Sequence, residues 1–258
     1  MNSNYWFQAK EISAFREGYE VVKNLNIKFK TNERIIILGP NGSGKSSIID
    51  LINREIYPIQ KSNSFLKIFD KELIDLWDLR RNISTVNNQI KSRINPNLKV
   101  FDLLISGLYG TYCKVKSKSK DNQIAEAVVD KMNLKKISEE KFGILSDGEK
   151  QISLIARAII NNPKVLILDE PSANLDLKSK YLLMDYLEYL SRIKINILCI
   201  THDISLITKD FNRVILLKNR EVMKDGKPSE IINEENINNL FEIKIKLYKG
   251  KNNWEAIR

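Results

Sequence analysis

Apolar residues follow two patterns along the chain, and the first of them predicts β-strands. Continuous apolar runs of strand length predict strands that are buried on both faces of a sheet. These runs cover residues 34–38, 165–168, 195–200 and 214–217. Near the N-terminus, residues 5–12 and 21–29 mix apolar and polar positions, which predicts half-buried strands.

The second pattern, with apolar residues at helical spacing, predicts helices between the strands. Helical spacing covers residues 47–56, 100–105, 125–132 and 180–193. Because strands and helices alternate, we expect an α/β fold with a mainly parallel sheet and right-handed crossovers. Residues from about 91 to 161 predict a mostly helical insertion. The tail at 244–258 predicts a small hairpin that turns at Lys249, Gly250 and Lys251.

The composition of the 258 residues is that of a globular protein, with 43% hydrophobic and 29% charged residues. No apolar run approaches the roughly 18 residues that a spanning helix needs, and we expect no signal peptide at the N-terminus. Cys113 and Cys199 lie far apart with no CxxC spacing. This argues against a disulfide framework or a cysteine-based zinc site and favours a reducing compartment.

The charge balance is basic, because 42 Lys and Arg residues against 32 Asp and Glu residues give a net charge of +10. Such a charge fits nucleic acid or a membrane surface as a partner. Most of the excess lysine is dispersed, and one cluster is interleaved with serines. Its members are Lys114, Lys116, Lys118 and Lys120. We interpret this cluster as a solvated loop rather than as a phosphate-binding patch.

A glycine-rich segment after the first buried run carries the clearest chemical signal. It fits the pattern G-x-x-x-x-G-K-[ST], with the residues Gly39, Pro40, Asn41, Gly42, Ser43, Gly44, Lys45 and Ser46. Glycines let backbone N–H groups curl around phosphate oxygens. Lys45 supplies a charge for the β- and γ-phosphates, and Ser46 offers a hydroxyl to Mg²⁺. The motif predicts phosphoryl chemistry without separating a kinase, a GTPase or an ATPase.

Two carboxylates follow the buried run at residues 165–168, namely Asp169 and Glu170. A buried strand delivers its C-terminal residues to the ligand crevice of an open α/β sheet. We expect Asp169 to hold Mg²⁺, mainly through a water, and Glu170 to act as general base on the attacking water. A strand-end acidic cap is the structural alternative for a lone aspartate.

Taken together, the motifs resemble the nucleotide-binding domain of an ATP-binding cassette (ABC) ATPase, over about residues 5–240. The matching motifs, in chain order, are Walker A at 39–46, the Gln-loop at Gln89, the LSGGQ signature at 145–151, Walker B at 165–170, the D-loop at 172–176 and the switch histidine at His202. His202 is the only histidine in the chain.

The resemblance implies the ABC-type P-loop NTPase fold, with a mainly parallel sheet core, an antiparallel β edge and a helical subdomain. It implies a single domain over residues 1–258. The core would take about residues 1–90 and 162–258. The helical subdomain, which carries the signature, would take about residues 91–161.

Within one copy, the resemblance implies four catalytic residues. Lys45 would bind the phosphates, and His202 would contact the γ-phosphate and align Glu170. Gln89 would reach Mg²⁺ and the attacking water. The implied Mg²⁺ ligands are Ser46, Gln89 and Asp169. The implied ATP-binding residues of one copy are Phe15, the loop at 39–46 and Ser47.

Between copies, the resemblance implies a head-to-tail dimer that encloses two ATP molecules. The signature residues Ser146, Gly148 and Glu149 would contact the nucleotide of the other copy. Asp176 would couple the two sites across the dimer.

An aromatic ring usually stacks on adenine in this family, a few residues before the second strand. Phe15 lies six residues before Val21 and is the first choice for that ring. Tyr19 is the second choice, and core packing is the alternative for either residue.

The sequence departs from the family pattern in a few places. Asp147 and Glu149 stand where Gly and Gln are typical, and two carboxylates near a triphosphate are unfavourable unless they turn away or Lys150 offsets them. Asn88 replaces the usual Pro, and Ser47 replaces the usual Thr. The catalytic lysine, glutamate and histidine are all present, so we expect intact hydrolysis and disfavour a binding-only module.

A weaker likeness, at residues 77–83, 142–149 and 253–254, is to a bacterial subgroup akin to molybdate-type and iron-chelate-type ABC ATPases. The resemblance implies an ATP-hydrolysing transporter subunit, cytoplasmic and peripheral on the inner face of the membrane. The partner copy would be identical or a paired ABC subunit. A membrane permease, and in some systems a substrate-binding protein, would complete the transporter.

The permease would dock on the helical insertion, with Leu98, Val100 and Phe101 as candidate contacts and core packing as the alternative. A soluble ABC ATPase with a regulatory or nucleic-acid-linked role is the alternative function. The chain lacks the long heptad run of DNA-repair members and the second cassette of translation-type members, so we favour transport.

Overall fold

The computed structural model describes residues 4–59, 61–193, 195–250 and 253–257. Its strands are β1 (Tyr5–Arg16), β2 (Tyr19–Lys30), β3 (Arg34–Leu38), β4 (Pro58–Ile59), β5 (Phe65–Ile68), β6 (Ile83–Val86), β7 (Val165–Asp169), β8 (Asn196–Thr201), β9 (Arg213–Lys218), β10 (Glu221–Gly226), β11 (Lys246–Lys249) and β12 (Trp254–Ile257). Its α-helices are α1 (Lys45–Ile52), α2 (Leu76–Asn82), α3 (Val100–Leu108), α4 (Ser119–Lys131), α5 (Asp147–Ile159), α6 (Leu177–Arg192), α7 (Pro228–Ile231) and α8 (Glu234–Phe241).

The elements predicted from the apolar patterns are confirmed, with one helix shorter than predicted. The helix predicted at 47–56 begins at Lys45 and ends at Ile52. Arg54 adopts a positive φ of 60°, which a continuing right-handed helix does not allow, and Pro58 pairs with Ala14 in a strand. The predicted C-terminal hairpin is confirmed as the antiparallel pair β11–β12. Lys251, predicted in its turn, lies outside the described residues.

The first of two compact units contains the described residues up to 79 and from 196 onward. In its antiparallel sheet, β1 pairs with β2, β4 and β5. This sheet buries a cluster of three rings, in which Phe29 lies 5.2 Å from both Trp6 and Phe7 between ring centroids. Such contacts between rings add to the free energy gained by burying apolar surface, so the cluster stabilises the β edge.

The parallel part of the first unit places two predicted site segments at one edge. Strand β3 pairs in parallel with β8 and β9, and Leu38 stands opposite Thr201 in the register. Both strands therefore end at the same level, where Gly39 follows β3 and His202 follows β8. The backbone N–H of Gly39 donates to the Thr201 carbonyl at 3.3 Å. The phosphate-loop motif and the histidine thus leave the sheet side by side.

The second unit contains residues 80–195. Its strands β6 and β7 are parallel, and α5 packs against both α3 and α6. The helical insertion predicted at 91–161 lies within this unit, together with both strands. Among the described residues, no helix combines the length and the apolar character needed to cross a membrane.

Candidate functional site

The glycine-rich loop of the first unit has the shape of a phosphate cradle. Gly42 and Gly44 have φ angles of 78° and 96°, in the left-handed region that glycine adopts without strain. A Cβ on Gly39 would lie 2.3 Å from the Leu217 carbonyl oxygen and 2.7 Å from Ser43 Oγ. A side chain at position 39 is therefore excluded, and the loop is held tightly against the end of β9.

The side chain of Lys45, the first residue of α1, folds back into this loop. Its side chain is 6% exposed, and its Nζ donates to the carbonyls of Gly39 at 2.7 Å and Pro40 at 2.9 Å. Ser43 Oγ is buried and has no hydrogen-bond partner among the described residues. A buried hydroxyl without a partner is costly, so the loop carries an unused polar group that suits a bound anion. Ser46 and Ser47 follow in the first turn of α1.

The histidine segment is fixed by its neighbours in the chain. His202 is exposed and directly follows the buried Thr201. The next residue, Asp203, accepts hydrogen bonds from the backbone N–H and hydroxyl of Ser205, at 3.0 and 2.7 Å, and caps a short 3₁₀ turn at 204–206. This cap fixes the backbone on one side of the histidine while β8 fixes the other.

The two aromatic candidates lie at the turn between β1 and β2. Phe15 is 44% exposed and Tyr19 is 73% exposed, so neither ring is part of the core. The core-packing alternative for these rings is therefore wrong. Arg16, next to Phe15, forms an ion pair of 2.9 Å with Asp50 of α1. This ion pair ties the end of β1 to the helix that begins at the cradle.

In the second unit, the ends of two parallel strands bring the polar residues together. Strand β7 ends at Asp169, and Glu170 follows with a φ of 49°. Asn88, which follows β6, donates from its side-chain nitrogen to the Glu170 carbonyl at 3.4 Å. Left-handed backbone at a glutamate costs free energy and is typical of functional sites. Gln89 is exposed in the 3₁₀ segment Asn88–Arg93.

The signature segment forms the N-terminus of α5, and a reciprocal capping box closes it. The Glu149 carboxylate accepts from the backbone N–H of Ser146 at 2.9 Å and from its hydroxyl at 2.7 Å. The backbone N–H of Glu149 donates back to Ser146 Oγ at 3.3 Å. Glu149 therefore neutralises part of the helix N-terminus with a charge from its own chain.

Charged side chains next to the signature glutamate also interact with one another. Burial lowers the pKa of Lys91, while the nearby Asp147 carboxylate acts to raise it and Lys150 acts to lower it further. The aspartate that departs from the family pattern thus faces a lysine two residues after Gln89. Asp147 therefore lies near Lys91, a cation that the sequence analysis did not name.

The D-loop residue Asp176 caps the N-terminus of α6. Its carboxylate accepts from the backbone N–H of Ser179 at 2.7 Å. Hydrogen bonds from the Ser179 hydroxyl and N–H hold the pKa of Asp176 below its usual range. A Cβ on Gly148 would lie 2.4 Å from Ser179 Oγ, so the signature glycine packs against this same cap.

Two of the proposed docking residues are core residues. Leu98 is 6% exposed and Val100 is fully buried, so neither offers a surface, whereas Phe101 is half-buried. Of the lysine cluster, Lys114, Lys116 and Lys118 lie between α3 and α4, where Lys114 forms an ion pair of 2.9 Å with Asp102. Lys120 lies in the first turn of α4, so the interpretation as a loop is wrong for that residue. Sequence reasoning missed Arg220, whose backbone N–H donates to the Ser43 carbonyl at 3.0 Å. Its position shortly after the strand predicted at 214–217 was the one available signal.

Comparison with known proteins gives a family match. A family model described as "ABC transporter" matches residues 22–173. The uncharacterized ABC transporter ATP-binding protein YmeB of Lactococcus lactis is 30% identical over 254 residues, covering 96% of each chain.

Solved structures agree with this match. CbiO1 from Clostridium perfringens, part of the CbiONQ transporter complex, superposes with a TM-score of 0.78 at 25% identity, covering 91% of this chain and 93% of its own. The cassette MJ0796, as a dimer in a post-hydrolysis state bound to ADP and Pi, gives 0.70 at 26% identity, covering 86% of this chain and 98% of its own.

Proposed function

Since the chain belongs to the ABC transporter family as an ATP-binding subunit, we propose that it hydrolyses ATP to ADP and phosphate to drive transport. One observation carries this proposal. The loop that ends at Lys45 combines left-handed glycines, a buried lysine and the unpartnered hydroxyl of Ser43. Burial of the lysine and of the unpartnered hydroxyl costs the free protein stability, and both groups have a use when a polyphosphate is bound.

In the first unit, we assign nucleotide binding to the cradle and the exposed aromatic turn. Phe15 stacks on adenine, with Tyr19 as the second choice. Lys45 binds the phosphates, and His202 contacts the γ-phosphate. The remaining nucleotide contacts come from Gly39, Pro40, Asn41, Gly42, Ser43, Gly44, Ser46 and Ser47.

In the second unit, we assign the activation of water to Glu170. Its carboxylate takes a proton from the water that attacks the γ-phosphorus, which breaks the bond to the β-phosphate oxygen. The residues for Mg²⁺ are Ser46, Gln89 and Asp169, whose hydroxyl, amide and carboxylate oxygens are the ligands that a hard cation prefers. Bound Mg²⁺ would neutralise charge on the phosphates.

Pairing of two copies completes the proposal. Ser146, Gly148 and Glu149 contact the nucleotide of the other copy, and Asp176 couples the two sites. The dimeric post-hydrolysis form of MJ0796 supports the pairing of two copies. We propose that residues 1–258 act as one domain, with its helical part at about 91–161.

The partners we propose are a second copy or a paired ABC subunit and an integral membrane permease. CbiO1, as part of an ABC transporter complex, supports such an assembly. The location that we propose is peripheral, on the inner face of the membrane. A substrate-binding protein would be a further partner. A soluble ABC ATPase with a regulatory or nucleic-acid-linked role is the alternative. The observation that favours it is the net charge of +10.

A pull-down tests transport against the alternative. The tagged Glu170→Gln variant is expressed in its native cells, and membranes are solubilised in detergent with ATP. An untagged culture serves as control. A stoichiometric integral membrane protein supports a transporter subunit. Recovery only from the soluble fraction, or with nucleic acid or ribosomal material, contradicts transport and favours the alternative.

A further inference from the structure

The turn between β9 and β10 is built from an unusual residue pair. Lys218 and Glu221 pair directly, so Asn219 and Arg220 form a two-residue hairpin loop. Both have positive φ angles, 51° and 69°, as in a type I′ turn. Asn-Gly is the favoured pair for this turn, because glycine takes the second position without strain. An arginine there is held in an unfavourable backbone conformation.

This arginine lies against the phosphate cradle of the same unit. Its backbone N–H donates to the Ser43 carbonyl at 3.0 Å. A Cβ built on Gly44 would lie 3.3 Å from Arg220 Cα and 3.5 Å from Arg220 Cβ. On its other side, the Arg220 carbonyl accepts from the backbone N–H of Lys23 at 3.4 Å. The turn is therefore held between β2 and the middle of the cradle.

The guanidinium of Arg220 is available for a ligand. The residue is exposed, and within the described part of the chain its side chain forms no ion pair or hydrogen bond. The two acids that follow in sequence have other cations: Glu221 pairs with Lys23 at 2.7 Å, and Asp225 pairs with Arg213 at 2.7 Å. Glu242 pairs with Lys218, the residue before the turn, at 2.9 Å. Within the described residues, the Arg220 guanidinium is thus not paired with a carboxylate of the turn.

We propose that Arg220 is a further nucleotide-binding residue, whose guanidinium contacts a phosphate of the nucleotide in the cradle. The inference rests on the proposed function, since it needs a nucleotide at this loop. The middle of such a loop cradles the α- and β-phosphates, and Arg220 contacts Ser43 and Gly44 there. A guanidinium suits phosphate oxygens because its N–H groups form a planar fork. ADP and ATP are therefore affected alike.

The test uses Arg220→Gly, because glycine favours the turn while it removes the guanidinium. Dissociation constants for ADP and ATP are measured by calorimetry on the full chain at low salt. We expect both nucleotides to bind about three- to ten-fold more weakly, with no fall in melting temperature. Arg220→Lys keeps a charge and should lie between the two. Asn219→Gly, the matched change in the same turn, should bind as the parent does.

Two outcomes would overturn the assignment. If Arg220→Gly binds both nucleotides as tightly as the parent, Arg220 is a turn residue only. If its affinity falls only together with its melting temperature, the effect is structural. Lys45→Ala in the same titration separates this result from the proposed function. A parent chain that binds neither nucleotide refutes both proposals, whereas loss in Lys45→Ala with normal binding in Arg220→Gly refutes only the role of Arg220.

Discussion

Glu149 is bound to the serine that we assign to the nucleotide of a partner copy. Two of its three hydrogen bonds with Ser146 use the carboxylate as acceptor. A γ-phosphate arriving at the same helix N-terminus would meet this negative charge. We therefore expect glutamate at this position to support the fold of the free subunit and to oppose closure around the anion.

Replacing this carboxylate with an amide should separate the two effects. A glutamine still accepts from the Ser146 N–H, since capping boxes use Glu or Gln, so Glu149→Gln should leave the melting temperature nearly unchanged. It should lower the ATP concentration for half-maximal dimerisation by about three- to ten-fold, because one like charge is removed. Sedimentation in a Glu170→Gln background measures this.

The control for that prediction is Glu149→Ala, which opens the capping box. Loss of such a cap lowers the free energy of unfolding by about 1 kcal/mol, so this variant should melt earlier. A Glu149→Gln variant that needs more ATP than its parent would show that the carboxylate helps closure.

At the scale of elements, helices α5 and α6 share one small contact. Gly148 at the start of α5 packs on Ser179, and Ser179 donates to Asp176 at the start of α6. The signature and the D-loop of one copy are therefore joined by the caps of two adjacent helices. Because Gly148 leaves no room for a side chain against Ser179, movement at the start of α5 would disturb the residue that caps α6.

Variants of Asp176 can distinguish its cap from its proposed coupling role. Asn is as good an N-cap as Asp, so Asp176→Asn should keep the melting temperature at neutral pH while Asp176→Ala lowers it. If Asp176 also couples the sites, the ATPase rate of Asp176→Asn falls although its stability does not. Thermal melts and a phosphate-release assay measure the two effects, and equal melting of both variants would contradict the cap.

The lowered pKa of Asp176 gives this prediction a pH dependence. A carboxyl with a depressed pKa in the folded state stabilises fully above its unfolded pKa of about 4, and it loses that contribution as pH falls through the folded pKa. Asn does not titrate. The parent should therefore lose melting temperature relative to Asp176→Asn only in acid.

The sequence predicted the long buried strands and the helices with clear apolar spacing, because burial of apolar residues decides both. It did not predict the short or largely exposed elements β4, β5, β6, β10, α2, α7 and α8. It also located the cradle, since a phosphate loop needs a fixed order of glycines and a lysine. It did not predict where α1 ends, which a left-handed Arg54 decides. Arg220 was missed for a different reason. Its contact with Ser43 joins residues distant in the chain, and local pattern carries no trace of such a pairing.

At the scale of the whole molecule, two copies must overcome electrostatic repulsion before they can pair. Each copy carries a net charge of +10, and two copies repel each other at low ionic strength. Two nucleotide triphosphates held between the copies would offset part of this repulsion. We therefore expect ATP to promote assembly through its charge as well as through its contacts.

Blocking hydrolysis should trap this assembly. Glu170→Gln removes the general base, and we expect at least about 100-fold slower ATP hydrolysis. With ATP present, the variant should sediment as a dimer, while the parent returns to monomer as ATP is consumed. Glu235→Gln, an exposed glutamate of α8, is the matched control and should hydrolyse at the parent rate. Hydrolysis by Glu170→Gln at the parent rate would refute the assignment of the base.

His202 offers a direct view of these events, because it is exposed and the chain has no other histidine. In a proton NMR spectrum of the untagged chain, the imidazole would give a single pair of ring resonances that need no assignment. Nucleotide titrated into the protein should shift those two lines if His202 contacts the γ-phosphate, and ATP should shift them more than ADP. The ring resonances of His202 would thus report nucleotide binding without an isotope label.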